Sequence, residues 1–201
     1  MLAYDEFDTK EVFKMENYRT AGDGLKKMYY AEWGFIICAV LGAIPLIGIV
    51  AGIAKIAVAV LSLLGLYSVG QVIPKCKNAF YLTIVSMIIT VLDMIINGWV
   101  INTLFSIMQS VTGIMISYYV CNPVADFMSG IGATDIANDG RNVWKINLVC
   151  YLVSIVISLL LLIPIINIIA GLFSVIVAIV QIVAYVLYMV FLNKGYKRLE
   201  A

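Results

Sequence analysis

The chain contains no histidine, and so lacks the side chain most used as a general base near neutral pH and as a metal ligand. Serine–histidine and zinc sites are thereby excluded. Charge is also scarce: 12% of residues are Asp, Glu, Lys or Arg, where a soluble domain carries roughly a quarter. The four cysteines, Cys38, Cys76, Cys121 and Cys150, form no CxxC pair and show no metal spacing, so they read as reduced, small apolar fillers. There is no Gly-rich phosphate loop, no paired-carboxylate motif and no basic face for nucleic acid. The composition therefore points to no enzyme, no cofactor, no metal and no nucleic-acid partner.

What the sequence does have is apolar surface. At 201 residues, 63% of them hydrophobic, and with a mean hydropathy of +1.03, the chain needs the lipid bilayer as its solvent. A hydrocarbon core about 30 Å thick takes about 20 apolar residues in helical form, because lipid leaves backbone groups nothing else to bond. Six segments qualify: about Met28 to Ile44, Ile49 to Val72, Ala79 to Ile96, Trp99 to Val120, Ile146 to Ile163 and Ile168 to Leu192. The first is the weakest, since Glu32 lies near its start. The fold class expected is an all-α membrane protein of six transmembrane helices in three hairpins, with both termini cytoplasmic.

The basic residues set that orientation. With the start of the chain inside, Lys10, Lys14, Arg19, Lys26, Lys27, Lys75, Lys77, Arg141, Lys145, Lys194, Lys197 and Arg198 are all cytoplasmic, and Lys55 alone lies within a span. The external connections are short turns around Pro45 and Gly48, Asn97 and Gly98, and Pro164 and Asn167, residues that break helices or tolerate positive φ. With so little projecting outward, a receptor or adhesin is not expected. Tyr29, Tyr30, Trp33, Tyr118, Tyr119, Trp144, Tyr188 and Tyr196 gather near the cytoplasmic boundary, and Trp99 at the outer one, as interfacial anchors do. The domain plan is a polar segment over 1–24 and a single six-helix domain over 25–201, with a cytoplasmic loop at about 121–142. In that loop Val124, Phe127, Met128, Ile131 and Ile136 recur at helical intervals and predict a short amphipathic helix at the membrane surface, packed on its own bundle in preference to docking a partner.

The chain repeats itself. Ala21-Gly22-Asp23-Gly24, a helix, and the turn Pro45-Leu46-Ile47-Gly48 followed by Ala51-Gly52 return as Ala137-Asn138-Asp139-Gly140, a helix, and Pro164-Ile165-Ile166-Asn167 followed by Ala170-Gly171. The middle pair of helices reads as a degraded third copy. Such copies are parallel repeats, and Gly48, Gly52, Ala59 and Gly171 offer small surfaces for close helix contact, so a packed bundle is favoured over a ring about a central space.

Inside the spans the main departures from apolarity are Lys55 and Asp93, opposite charges on the second and third helices. Their depths differ by about 5 Å at 1.5 Å per residue. They read as a structural clasp, or a lysine snorkelling outward, with an ion or proton site as the functional alternative. Asn102, Gln109 and Gln181 sit at mid-depth with several serines, more as interhelical hydrogen bonds than as a pathway. The expected function is non-enzymatic packing or assembly, with a second copy of the chain or another membrane protein as partner. The alternative is a small-solute or ion transporter or channel using Lys55 and Asp93.

Gly24-Leu25-Lys26-Lys27-Met28-Tyr29, Ile44-Pro45-Leu46-Ile47-Gly48 and Asn142-Val143-Trp144-Lys145-Ile146-Asn147 resemble segments of uncharacterised small multi-pass membrane proteins of Firmicutes bacteria, over nearly the whole chain from about Met15. The resemblance implies a bacterial plasma membrane and no activity, and it carries no functional residues over. Lys10-Glu11-Val12 can be encoded by a bacterial ribosome-binding sequence a suitable distance before Met15, so translation is expected to begin at Met15, with 1–14 upstream of the natural start. An intact native amino terminus at Met1, read by mass spectrometry, would refute this.

Overall fold

A computed structural model describes residues 2–42, 48–96, 98–160, 163 and 167–200, with side chains described there except at 2–14, 42, 48–49, 51–53, 94, 99, 167–172 and 174. The elements in it are six helices, α1 (Leu2–Gly42), α2 (Gly48–Val72), α3 (Cys76–Ile95), α4 (Trp99–Gly130), α5 (Thr134–Leu160) and α6 (Asn167–Glu200). Five are long and apolar enough to cross a membrane, over Ala54–Val72, Cys76–Asp93, Val100–Gly130, Thr134–Leu160 and Val175–Glu200. The chain is thus an all-helical protein built for a bilayer. The remaining expected span, from Met28, lies in α1, where Lys26, Lys27 and Glu32 dilute the apolar run and Ile44 falls outside the described residues. The polar segment before it is not separate, because α1 is continuous over 41 residues, about 60 Å at 1.5 Å per residue.

The helix ends follow from local chemistry. Pro74 cannot continue a ladder, and α2 gives way to a turn in which Cys76 N–H donates to the Ile73 carbonyl at 2.9 Å and Lys77 N–H to the Pro74 carbonyl at 3.1 Å. Gly132, at φ +80°, takes the left-handed position after α4. Ala133 N–H then donates to the Met128 carbonyl at 2.9 Å and Gly132 N–H to the Ser129 carbonyl at 3.1 Å, the paired closure of a glycine-terminated helix. The expected 121–142 loop is therefore replaced by the last turns of α4, a connection at 131–133 and the first turns of α5. Pro123, the residue that argues for ending the helix, sits inside α4, and what it removes is one backbone bond. Val124 and Met128 on α4 and Ile136 on α5 are buried, so the apolar positions pack inward as expected, but on the ends of two long helices and not on a separate short one.

The chain divides into two compact units, Met1–Lys77 with Leu192–Ala201, and Asn78–Phe191. In the first, α1 and α2 pack along their length. Ala21, Leu25, Met28, Ala31 and Cys38 face Leu66, Val69 and Ile73 in its core, joined by Leu192 and Tyr196 from the end of α6. In the second, α4 and α5 are the pair packed along their length, around Val120, Cys121, Val124, Val143 and Cys150. Of the turn residues, Pro45, Asn97 and Pro164 lie outside the described residues. Gly48 and Asn167 open α2 and α6, and Gly98 is extended (φ 167°) before α4.

Candidate functional site

Lipid offers no hydrogen-bond partner, so each polar side chain within a span must bond its own helix, another helix or nothing. In the second unit most do the first two at once. Thr90 Oγ1 donates to the Ser86 carbonyl at 2.9 Å and accepts from Gln109 Nε2 at 3.4 Å, linking α3 to α4. Ser154 Oγ donates to the Cys150 carbonyl at 2.9 Å and accepts from Gln181 Nε2 at 2.8 Å, linking α5 to α6. Between α4 and α5, Asn147 Nδ2 donates to Ser117 Oγ at 3.1 Å, and the Ser106 and Ser158 hydroxyls lie 3.3 Å apart. Hydroxyls that find no second helix turn to the carbonyl four residues back: Ser110 to Ser106 at 2.9 Å and Thr112 to Met108 at 2.8 Å.

Asn102 has a different task. With its amide oriented to suit its neighbours, Nδ2 donates to both the Ile96 and the Gly98 carbonyls at 3.1 Å. These carbonyls lie where α3 stops and α4 starts, and the amide bonds both from one side chain. Asn102 therefore fastens the turn at Gly98.

Lys55 is exposed on α2, in the first unit, and Asp93 is half-buried on α3, in the second. Asp93 Oδ1 is buried without a hydrogen-bond partner, which costs about 1–3 kcal/mol for a desolvated polar group.

Gln109 and Gln181 are thus each joined to a neighbouring helix, while Asn102 is used locally. The sequence leads one to expect serines that bond between helices, without identifying their partners. The signal for them is the four- and seven-residue spacing of Ser106, Ser110, Ser117 and Cys121 on α4 and of Asn147, Ser154 and Ser158 on α5, which puts each set on one helix face.

The first unit is held by absent side chains. A Cβ on Gly24 would stand 2.8 Å from the Gly65 carbonyl oxygen and the Val69 nitrogen, and one on Gly65 would stand 2.8 Å from the Gly24 oxygen. The two glycines let the α1 and α2 backbones touch, and Gly34 faces Val58 further along, 2.7 Å from Cβ to Cγ2. Gly48, Gly52 and Gly171, the glycines expected to do this, have side-chain positions outside the described residues. At the other end of α6, Leu199 lies against Gly22, Tyr196 stacks on Tyr29 at 5.7 Å between centroids, and Lys26 bonds Glu200 at 2.6 Å. That hydrogen bond raises the Lys26 pKa above its ordinary value, the opposing desolvation being smaller, so the amine is charged throughout the physiological range. The chain matches no family model, no curated protein and no solved structure. Among the described residues no group of three His, Cys, Asp or Glu side chains converges on a metal position, and all four cysteines are buried thiols.

Proposed function

We propose that the chain is a six-span protein of a bacterial plasma membrane, both ends cytoplasmic, that works through helix assembly with a second copy or another membrane protein, and not through catalysis. The observation that carries the assembly reading is where the intramembrane polar groups go. Gln109, Gln181, Asn147 and the Ser106–Ser158 pair are used in bonds from helix to helix, and Asn102 in its turn. A translocation path needs such groups turned to a shared space. The outer face is apolar and well exposed on α6, from Val175 through Val183, as suits lipid or a partner helix. Lys55, exposed and seven residues into α2, fits a lysine that snorkels to the interface.

A parity argument supports the sixth span. Gly22, in the middle of α1 and before the span expected from Met28, touches Leu199 at the end of α6, so an even number of crossings separates them. Helices α2 to α6 provide five; α1, which lies against α2 from Gly24 to Gly34, supplies the other. The positive-inside bias then makes the shared side cytoplasmic. The hairpin repeat stands on the matched sequence segments alone.

The experiment is reconstitution of the full chain in lipid nanodiscs and in liposomes. A native mass above one copy, or a membrane protein captured by crosslinking in the source membrane, supports assembly. Flux of Na+, K+ or H+ above that of empty liposomes, abolished by Asp93→Asn, overturns it in favour of the transporter.

A further inference from the structure

We propose that the end of the first unit where the middle of α1, the end of α2 and the end of α6 meet is a binding surface for the phosphate headgroups of anionic phospholipids. Three distant stretches of chain meet there: Gly24 against Val69, Gly70 against Lys77, and Gly22 against Leu199. They bring together Arg19, Lys26, Lys27, Lys75, Lys77, Lys194, Lys197 and Arg198, against Glu16, Asp23 and Glu200 among the described residues. Glu200 is used by Lys26. Lys75, Lys77, Lys197 and Arg198 are exposed and carry no ion pair among the described residues.

The neighbouring surface identifies the ligand. Within two turns of this basic end, Tyr30 and Trp33 on α1 and Tyr67 on α2 are exposed, and beyond them come Ile37, Val60 and Leu64, also exposed. Positive charge, then a rim of amphipathic aromatics, then aliphatic surface is the order in which a phospholipid presents phosphate, glycerol and acyl chain. A soluble polyanion would meet the charge and leave the apolar strip unused. The surface needs only that the first unit sits in a bilayer, and it is independent of whether the protein assembles or transports.

Near an anionic membrane surface each basic residue contributes about 1 kcal/mol, a factor of about five. The test uses the full chain in detergent, equilibrated with equal phosphatidylglycerol and phosphatidylcholine of matched acyl chains, with retained lipids counted by native mass spectrometry. The wild type should retain phosphatidylglycerol at least fivefold over phosphatidylcholine, less so as salt is raised. Lys75→Gln/Lys77→Gln/Lys197→Gln/Arg198→Gln should lose tenfold or more of that retention, while Arg141→Gln/Lys145→Gln, which removes two basic residues of the second unit, should keep it. Equal retention of the two lipids by the wild type, an equal loss in both variants, or displacement of the lipid by millimolar glycerol phosphate would overturn the proposal. Monomeric or flux-competent protein that still selects phosphatidylglycerol would refute the assembly reading and leave this one standing.

Discussion

At the scale of single residues, what decides is whether a small group has backbone or open space beside it. Alanine in place of a helix glycine gains about 1 kcal/mol of helix propensity, whereas overpacking costs roughly 1–3 kcal/mol. At Gly65 the added methyl would meet the Gly24 oxygen and the Met28 nitrogen, backbone atoms that move only if a helix moves. Gly65→Ala should therefore lower stability by about 1–2 kcal/mol net, read as the midpoint of thermal unfolding in detergent. Gly130→Ala, with nothing within 4 Å of the new carbon, should be neutral or stabilising. Asn102→Ala should cost roughly 1–3 kcal/mol, because it strips the amide from the Ile96 and Gly98 carbonyls; equal midpoints for variant and wild type would show that the turn closes without it. Asn102 was visible in the sequence as a polar group in a span, but its task was not. A side chain that bonds the carbonyls four and six residues behind it gives no pattern distinct from one that faces a cavity.

Elements were easier to read than their pairing. The apolar runs that give α2, α3, α5 and α6 their membrane length follow from composition, since a bilayer admits little but helix. The join between α4 and α5 differs from the expected 121–142 loop because α4 continues through Pro123 and stops only before Gly132, whose positive φ ends the helix. With α4 and α5 so extended, they face each other along a polar and small stripe, in which Gly113 accepts the Tyr151 ring, with Cζ 2.6 Å from a would-be Cβ. Hydrogen bonds between membrane helices average about 0.6 kcal/mol by double-mutant cycle, with a maximum near 1.7. Ser117→Ala, Asn147→Ala and the double change should show a coupling in that range for the 3.1 Å bond. Strict additivity of the three stabilities would mean that the pair does not hold α4 to α5.

For the whole molecule the question is which side of the membrane each end occupies, and it turns on α1. Its apolar run is the one that charge dilutes, with Lys26, Lys27 and Glu32 within about two turns, and hydropathy over its described residues falls short of a span. Packing supports the crossing proposed for it. Gly24 on Gly65 and Gly34 on Val58 hold α1 antiparallel to α2, a helix long and apolar enough to cross, and the α6 end returns to Gly22 and Lys26. A helix lying flat in the interface would leave α2 without that partner through the hydrocarbon, and would leave Gly34 and Val58 at different depths. The expected outcome is that cysteines introduced at Asp23 and at Lys197, in a background with the four native cysteines replaced by serine or alanine, react with a membrane-impermeant maleimide from the same side. In right-side-out cells both should be protected, and in inverted vesicles both labelled within the same minutes. Labelling of one from each side would leave five crossings, remove α1 from the bilayer and, with it, the depth at which the basic end of the first unit meets the headgroups.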